Sequence, residues 1–273
     1  MNSLAPDIAA EKSYDELRLG WLVEAVQQNR FIPAPDPQSI FVGDGDFRAI
    51  GAEFLGHLVR IGGLEPRDRV LDIGCGIGRI AAPLTQYLLP TASYLGLDPA
   101  REGIDWCRGA ITSVYPNFRF RHLDVAHPLY NPEGLLRGET LVLPLGNGSV
   151  DFALLVSVVT HLPPDEIATY AREIARVLAP GGTCFLTCFS IDPGGPPATV
   201  ADPRCAFARL GDGPAWSGNP TDPLAMMAYD AGWIEARLSD AGLAPAPLRP
   251  GSWRGIRAPH YQDVLVAKKP GRR

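Results

Sequence analysis

The chain has 273 residues, of which 46% are apolar, and its formal net charge at pH 7 is -5. This length and composition suit one sizeable core, and so they favour one domain with an N-terminal extension over two domains. The negative charge argues against a nucleic-acid partner, because contacts with phosphates need a positive surface. The chain has no apolar run long enough to span a membrane, and Met1–Ala10 lacks the basic start and apolar stretch of a signal peptide. We therefore expect a cytoplasmic protein without a membrane partner.

The cysteines and histidines do not form a pattern typical of a metal site. The chain has five cysteines, an odd and scattered set that fits a reduced compartment better than a disulfide framework. Cys184 and Cys188 share one face of a predicted strand, but no second ligand pair lies nearby, so we expect both to be buried. The histidines show no zinc spacing. The sequence therefore predicts no bound metal.

The most informative segment is Val70–Ala81, VLDIGCGIGRIA, an apolar strand with an acid, Asp72, that turns through three glycines into a helix. The glycines are Gly74, Gly76 and Gly78. They free the backbone for unusual dihedrals and leave room for a ligand at a helix N-terminus. A dinucleotide fingerprint would need glycine or alanine in place of Arg79, and a P-loop would need a Gly-Lys-Ser/Thr ending. The segment therefore predicts a nucleoside-bearing cofactor of another kind.

Two further predicted strands also end in an aspartate. Ser93–Asp98 (SYLGLD) is a short apolar strand whose final acid is suited to accept hydrogen bonds from both hydroxyls of a ribose. The third strand, Phe118–Leu123, is followed by Asp124. Aspartate is also a common turn residue, and so a solvated turn is the alternative for both acids. Three strands that each end in an acid favour one shared ligand crevice.

The second half of the chain continues the alternation of strands and helices. The fourth strand, Val150–Val156, precedes a helix whose apolar residues, such as Ile167 and Ile174, recur at helical spacing, while Glu166 lies on the opposite, polar face. The helix stops at APGG, residues 179–182, where glycine and proline end helices, and the fifth strand, Thr183–Phe189, begins at once. This alternation predicts an α/β fold with a doubly wound, mostly parallel sheet.

Three motifs resemble, in their order and spacing, those of the class I S-adenosylmethionine (AdoMet)-dependent methyltransferases. They are DxGxGxG at 72–78, SYLGLD at 93–98 and RVLAPGG at 176–182. PNFRFRHLDV and YNPEG also resemble a bacterial subgroup that methylates small molecules. The resemblance covers residues 40–268. It implies a Rossmann-like, seven-stranded sheet whose last strand, Gln262–Lys268, runs antiparallel beside a sixth strand near Ala246. It also implies AdoMet as cofactor and S-adenosylhomocysteine as its product.

The resemblance further implies which residues hold the cofactor. Asp98 would bind the ribose hydroxyls, and Asp124 would contact the adenine amino group. The full set that it implies is Asp72, Gly74, Cys75, Gly76, Gly78, Arg79, Asp98, Pro99, Asp124, Val125 and Ser157.

His161 is the predicted catalytic residue, because it follows the fourth strand beside the expected position of the methyl donor. AdoMet brings its own electrophile, so the enzyme must mainly align the nucleophile and remove a proton. A neutral histidine suits that step near pH 7. A histidine that only lines the pocket or caps the helix before Pro163 is the alternative.

The segment after the fourth strand limits the class of molecule that can accept the methyl group. It lacks the Asn/Asp-Pro-Pro-aromatic run of methyltransferases that act on nucleobase or glutamine amino groups, and it lacks the Asp-Asn pair of metal-assisted catechol-type enzymes. We therefore expect transfer to a small molecule, at oxygen. Nitrogen or carbon methylation remains open, and so does a non-catalytic AdoMet-binding protein.

Residues 1–39 are predicted as an N-terminal helical extension and residues 40–273 as the methyltransferase domain. A helix over Ser13–Arg30 places Leu17 and Trp21 near one face, which indicates a lid over the cofactor, a homodimer interface or core packing.

Residues 191–224 are predicted as a substrate-facing loop. The segment is rich in proline and glycine and has no periodicity, and loops of this length are usually functional or disordered. It follows the fifth strand on the side where the strands' carboxyl ends form the ligand crevice. Phe207, Trp216 and Met226 or Met227 would supply apolar walls to that crevice.

Overall fold

The computed structural model describes residues 14–40, 45–197, 200, 202–219 and 221–271, and in them a seven-stranded sheet carries helices on both faces. The helices are α1 (Tyr14–Gln28), α2 (Phe47–Arg60), α3 (Ala81–Leu84), α4 (Arg101–Cys107), α5 (Pro164–Val177) and α6 (Trp233–Asp240). The strands are β1 (Arg69–Ile73), β2 (Ser93–Asp98), β3 (Phe118–His122), β4 (Val150–Leu155), β5 (Leu178–Cys188), β6 (Ser190–Ile191), β7 (Ala208–Arg209), β8 (Ala215–Ser217), β9 (Met227–Asp230), β10 (Ala244–Pro245) and β11 (Asp263–Lys268).

The large sheet has the strand order β10-β11-β5-β4-β1-β2-β3. β1 pairs in parallel with β2 and β4, whereas β11 runs antiparallel to both β5 and β10. The chain order reverses between β1 and β4, and in such sheets ligands bind at this switch point, outside the carboxyl ends of the strands. The doubly wound, Rossmann-like fold with an antiparallel last strand is thus confirmed. The strand expected near Ala246 is the adjacent Ala244–Pro245.

The core consists of two main apolar clusters, one on each face of the sheet. Successive side chains of a strand point to opposite faces, so Leu71 joins the cluster beneath α5 and α6, whereas Val70 joins the one beneath α2, α3 and α4. Cys184 and Cys188 are fully buried in the first cluster, as predicted. The two layers of helices leave the carboxyl edge of the central strands open for a site.

The described part of residues 191–224 is largely irregular but includes two short strands that the sequence does not predict. They contribute to a second sheet, with the order β6-β9-β8-β7. A third apolar cluster supports this sheet and contains Phe189, Ile191, Cys205, Phe207, Ala228 and Trp253. Its strands have only two to four residues, and a period of two cannot be recognised in segments so short between proline and glycine turns. Phe207 and Met227 are therefore core residues, not walls of a crevice.

The N-terminal helix α1 forms where the sequence predicts it, but it packs through a different face. Leu19 and Val26 are buried, whereas Leu17 and Trp21 are 57% and 71% exposed. The expected packing face is thus wrong. α1 lies against α2, and no residue of α1 lines the two large cavities of the site. The lid role of residues 1–39 stays a prediction, and Ser13, where the predicted helix begins, lies outside the described residues. None of the helices in the described ranges has the length and apolar character needed to cross a bilayer.

Candidate active site

The glycine turn after β1 lies at the carboxyl edge of the sheet. Gly74, Gly76 and Gly78 all have positive φ, at 75°, 53° and 77°. A Cβ on Gly74 would stand 2.3 Å from Cγ2 of Val158, and one on Gly78 would stand 2.9 Å from Sγ of Cys107. Both the dihedral angles and the packing therefore exclude larger residues at these two positions. Of the three glycines, Gly74 and Gly76 line the cavities at this edge.

Two connected cavities open at this edge. The inner cavity encloses about 700 Å³, and the outer cavity about 1700 Å³, including space open to solvent. Both are lined by Gly74, Gly76, Tyr130, Val156, Ser157 and His161. Of the other predicted site residues, Asp98, Pro99 and Val125 line the inner cavity, and Cys75 and Arg79 line the outer one. Most of the predicted set is therefore brought together.

Asp98 ties the glycine turn to the start of α4. Its Oδ2 accepts a hydrogen bond from the Gly76 N–H, and its Oδ1 accepts one from the Ala100 N–H, each at 2.7 Å. Burial raises the pKa of Asp98 to about 6, although both N–H groups favour the charged form. Each carboxylate oxygen keeps a further lone pair, and so a ligand hydroxyl can still be accepted in the inner cavity.

Three predicted cofactor residues, Asp72, Gly78 and Asp124, lie outside the lining of both cavities. Asp72 is 1% exposed and accepts a hydrogen bond from the hydroxyl of Tyr94. Asp124 accepts one from the side-chain amide of Asn131 at 3.0 Å. These bonds hold the carboxyl ends of β1 and β3 in place, and direct contacts of the three residues with a cofactor stay predictions.

The burial of Asp72 predicts a pH-dependent stability. Burial raises its pKa from 3.8 to about 7, so its contribution to the free energy of unfolding is complete below pH 3.8 and disappears as the pH rises through about 7. Asp72→Asn keeps an acceptor for Tyr94 but cannot ionise. We expect the wild type to unfold at a lower urea concentration at pH 7.5 than at pH 5. The change in its free energy of unfolding between these two pH values should be about 2–3 kcal/mol larger than the change in Asp72→Asn. An identical pH dependence in both proteins would contradict this prediction.

His161 lies in the turn after β4, with Nδ1 bonded to the main chain and Nε2 only in a long contact with a hydroxyl. Its Nδ1 lies 2.9 Å from the carbonyl oxygen of Leu224, which only accepts, so Nδ1 carries the proton and Nε2 keeps its lone pair. Nε2 accepts a long hydrogen bond, 3.5 Å, from the hydroxyl of Tyr130. Burial lowers the pKa of His161, and so the ring stays neutral at pH 7. The arrangement can accept a proton at Nε2.

His127 also lines the inner cavity, but both of its ring nitrogens are used. Its Nδ1 accepts a hydrogen bond from the Leu129 N–H at 3.2 Å, and its Nε2 donates to the carbonyl oxygen of His161 at 3.0 Å. His127 therefore holds the backbone that carries His161 and has no free lone pair for a substrate proton.

Ser157 stands where the two cavities meet, with a φ of 59°. Its N–H donates to Oγ1 of Thr187 at 2.8 Å, and its hydroxyl donates to Oε1 of Gln262 at 3.1 Å. The hydroxyl of Thr187 donates to the same Oε1. This network joins β4, β5 and the start of β11. Thr187 and Gln262 are absent from the predicted site, because a contact between segments so far apart in the chain leaves no local pattern.

Glu166 is another residue that sequence reasoning misses. It was expected on the polar face of its helix, yet it lines the inner cavity. Its Oε2 is buried and has no hydrogen-bond partner among the described residues. Burial, and then the nearby charge of Glu139, raises the pKa of Glu166 to about 7. Helical periodicity shows which face of α5 packs on the sheet, but it does not show what lies over the first turn.

The outer cavity also has polar walls. Asp202 and Arg204 line it, and an Nη of Arg204 lies 2.7 Å from a carboxylate oxygen of Asp202. Asp202 also accepts a hydrogen bond from the hydroxyl of Tyr261, at 3.4 Å. Met226 adds an apolar surface. The segment after β5 therefore contributes to this cavity.

Comparison with known proteins agrees with this architecture. A family model described as a methyltransferase domain matches residues 71–186. The sterol 24-C-methyltransferase of Schizosaccharomyces pombe is 28% identical over 120 residues, which cover 44% of this chain and 27% of that enzyme. The matched segments span only 27% to 42% of the curated relatives' lengths.

Solved structures show the same fold at low sequence identity. The [4+2]-cyclase SpnF gives a TM-score of 0.55 at 16% identity, over 94% of this chain and 97% of that one. An S-adenosylmethionine-dependent methyltransferase from Mesorhizobium loti gives 0.51 at 18% identity, over 74% and 91%.

The match over residues 71–186 runs from β1 into β5 and so includes the glycine turn, Asp98 and His161. Residues 71–186 therefore match a methyltransferase domain, and such a domain implies S-adenosylmethionine as the cofactor.

Proposed function

We propose that the protein is an AdoMet-dependent methyltransferase that methylates a small molecule at oxygen. The observation that carries the proposal is the position of His161, whose neutral ring presents Nε2 where the inner and outer cavities meet. A base at that junction can remove a proton from the nucleophilic atom of the acceptor. A hydroxyl acceptor must lose such a proton when it is methylated.

The walls of the inner cavity fit the cofactor. The Gly74 turn admits a ligand against the main chain, Asp98 has free lone pairs for the ribose hydroxyls, and Pro99 and Val125 supply apolar surface. When bound, AdoMet supplies an electrophilic methyl group on a sulfonium. Asp98 and the turn hold the donor, and Nε2 of His161 takes the acceptor's proton. The remaining rate enhancement comes from the exclusion of water and from the alignment of donor and acceptor.

The outer cavity is the proposed acceptor site. Asp202, Arg204 and Met226 line it, which supports a substrate-facing role for the segment after β5. The opposite charges of Asp202 and Arg204 compensate each other, which favours an acceptor without a strong net charge. A cytoplasmic location and a homodimer remain predictions.

Carbon methylation is the second candidate, because the S. pombe relative is named as a sterol 24-C-methyltransferase. That match covers less than half of this chain, so it supports a shared donor site more than a shared acceptor.

Calorimetric titration tests the donor. We expect AdoMet and S-adenosylhomocysteine to bind in the micromolar range and NAD not to bind, because Arg79 replaces the third glycine of a dinucleotide fingerprint. Incubation with AdoMet carrying an isotope-labelled methyl group and a panel of hydroxylated small molecules tests the reaction, since the NMR shift of a methyl group differs on oxygen, nitrogen and carbon. Binding of NAD without AdoMet would refute the proposal. Binding of AdoMet without transfer to any acceptor would favour a non-catalytic protein.

A further inference from the structure

One histidine on the wall of the outer cavity has no role in the function proposed above. Nδ1 of His260 lies 2.8 Å from the main-chain carbonyl oxygen of Gln262. Because a carbonyl oxygen only accepts, Nδ1 carries a proton, and Nε2 keeps a lone pair when the ring is neutral. Burial lowers the pKa of His260, and so the ring is neutral at pH 7. Nε2 of His260 is therefore a hydrogen-bond acceptor.

This nitrogen has no donor of its own, and a ligand can reach it. Nε2 of His260 makes no hydrogen bond to any residue that the structure describes. It is also not one of the fully enclosed polar atoms without a partner in that part of the chain, so some of its surface stays open. The residue is only 5% exposed and lines the outer cavity. A hydroxyl of a molecule in that cavity would supply the missing donor.

Neighbouring groups hold the ring of His260 in one orientation. It packs edge-to-face against the ring of His57, with centroids 5.6 Å apart. The main chain that accepts from Nδ1 belongs to Gln262, whose own side chain is bonded to the hydroxyl of Ser157. A polar group that is fixed before binding costs less to order when a ligand arrives. His260 is thus placed to distinguish between ligands.

The two acids on the wall of the outer cavity, among the described residues, already have donors. Glu53 accepts a hydrogen bond from Nε2 of His57 at 3.1 Å. Asp202 accepts from both the main-chain N–H and the guanidinium group of Arg204. Neither acid therefore depends on a ligand for a donor, whereas His260 does.

Two neutral imidazole rings thus line the outer cavity. His161 and His260 each have Nδ1 bonded to a main-chain carbonyl, which leaves Nε2 as an acceptor. Four other aromatic side chains line the same cavity, namely those of Phe54, Tyr130, Phe189 and Tyr261. Aromatic walls with a few fixed polar atoms are typical of sites for flat ligands. The cavity therefore suits a flat molecule that carries two hydroxyl groups.

Building on the proposed methylation at oxygen, we propose that His260 is a specificity residue of the acceptor site, which accepts a hydrogen bond from a second hydroxyl of a flat, polyhydroxylated acceptor. The first hydroxyl loses its proton to Nε2 of His161 as its oxygen takes the methyl group from the sulfonium, which leaves S-adenosylhomocysteine. The second hydroxyl stays bound to His260 and is not methylated. An acceptor with one hydroxyl would leave a lone pair unpaired in the cavity and would bind more weakly.

The test compares 1-naphthol and 2-naphthol with the isomers of dihydroxynaphthalene. Calorimetric titrations use protein saturated with S-adenosylhomocysteine, so that binding is measured without turnover. We expect the wild type to bind at least one dihydroxy isomer about three- to tenfold more tightly than the matching naphthol, as befits one neutral hydrogen bond. His260→Asn keeps an amide donor for the carbonyl of Gln262 but has no acceptor at the position of Nε2. We expect it to lose this preference.

Glu53→Ala is the matched control, because it removes a different acceptor from the wall of the same cavity. The preference for the dihydroxy ligand should persist in this variant. Loss of the preference in Glu53→Ala, together with its retention in His260→Asn, would assign the second hydroxyl to Glu53 and overturn the proposal. Thermal unfolding verifies that both variants are folded.

Nitrogen-15 NMR of histidine-labelled wild type gives a measurement that does not depend on a variant. Hydrogen bonding to its lone pair shifts the resonance of Nε2 in His260, and we expect this shift with the dihydroxy ligand but not with the matching naphthol. A folded His260→Asn protein that keeps the full preference would overturn the proposal. So would a wild type that binds S-adenosylhomocysteine but binds both naphthalene ligands equally, or neither. A wild type that does not bind S-adenosylhomocysteine would instead refute the proposed function.

Discussion

Asp98→Ala is expected to raise the dissociation constant of S-adenosylhomocysteine by about 30- to 1000-fold, or about 2–4 kcal/mol. The proposed ribose contacts would lose a charged acceptor inside a desolvated cavity. The variant would also leave the N–H groups of Gly76 and Ala100 without their bonds to the carboxylate, so the turn itself would lose its connection to α4. The fold should persist, because the residue lies at the carboxyl end of β2 and not in the middle of the strand.

Calorimetric titration measures this effect, and Asp105→Ala is the matched control. Asp105 is an exposed acid on α4 that pairs with Arg108 and lines neither cavity, so its loss changes the net charge by the same amount. We expect its affinity to stay within about twofold of the wild type, since exposed ion pairs contribute little. An unchanged dissociation constant in folded Asp98→Ala protein would remove Asp98 from the donor site.

His161→Ala is expected to lower turnover by about 10²- to 10⁴-fold, the usual loss when a positioned general base is removed, with donor affinity unchanged. His161→Asn is the sharper variant. Its side-chain amide can still donate to the carbonyl of Leu224, which Nδ1 does in the wild type, but it has no basic nitrogen. Equal losses in both variants would assign the effect to the base and not to the bond with Leu224.

The pH profile supplies an independent measurement of the same role. Burial lowers the pKa of His161 below its ordinary 6.5, so wild-type activity should rise as the pH increases through a value below 6.5 and then stay level. Both variants should lack this rise in activity with pH. Their turnover should increase only at the higher pH at which the acceptor ionises without a base. Turnover above half of the wild-type rate at pH 7 would show that His161 only lines the pocket.

Local patterns in the sequence were sufficient for the main sheet. Ser93–Asp98 is a strand over the predicted residues, and the last strand begins at Asp263, one residue after the prediction. Both rest on short-range signals, namely an apolar run and a turn on either side. The glycine turn was equally predictable from the sequence. Positive φ and the close approach of neighbouring side chains restrict Gly74 and Gly78 to glycine.

The parts that could not be predicted depend on contacts between distant segments. Gln262 meets Ser157 only after β11 has inserted next to β5. Glu166 lies on the polar side of its helix by periodicity, and only the position of Gly138 and the cavity leaves its Oε2 buried. Such arrangements arise from tertiary packing, which a helical or strand period does not encode.

The small sheet between β5 and α6 has a consequence for how this protein could diversify. It has its own apolar cluster around Trp253, and its strands lie outside the matched residues 71–186. Ala215, Met227 and Tyr229 of this sheet pack in the main core beneath α5 and α6, whereas its cavity-lining positions have fewer shared contacts, and changes at such sites usually add independently. A new acceptor range would therefore be sought by exchanging the residues of this segment that line the outer cavity, such as Asp202, Arg204 and Met226, while the carbonyl of Leu224 that holds His161 is kept.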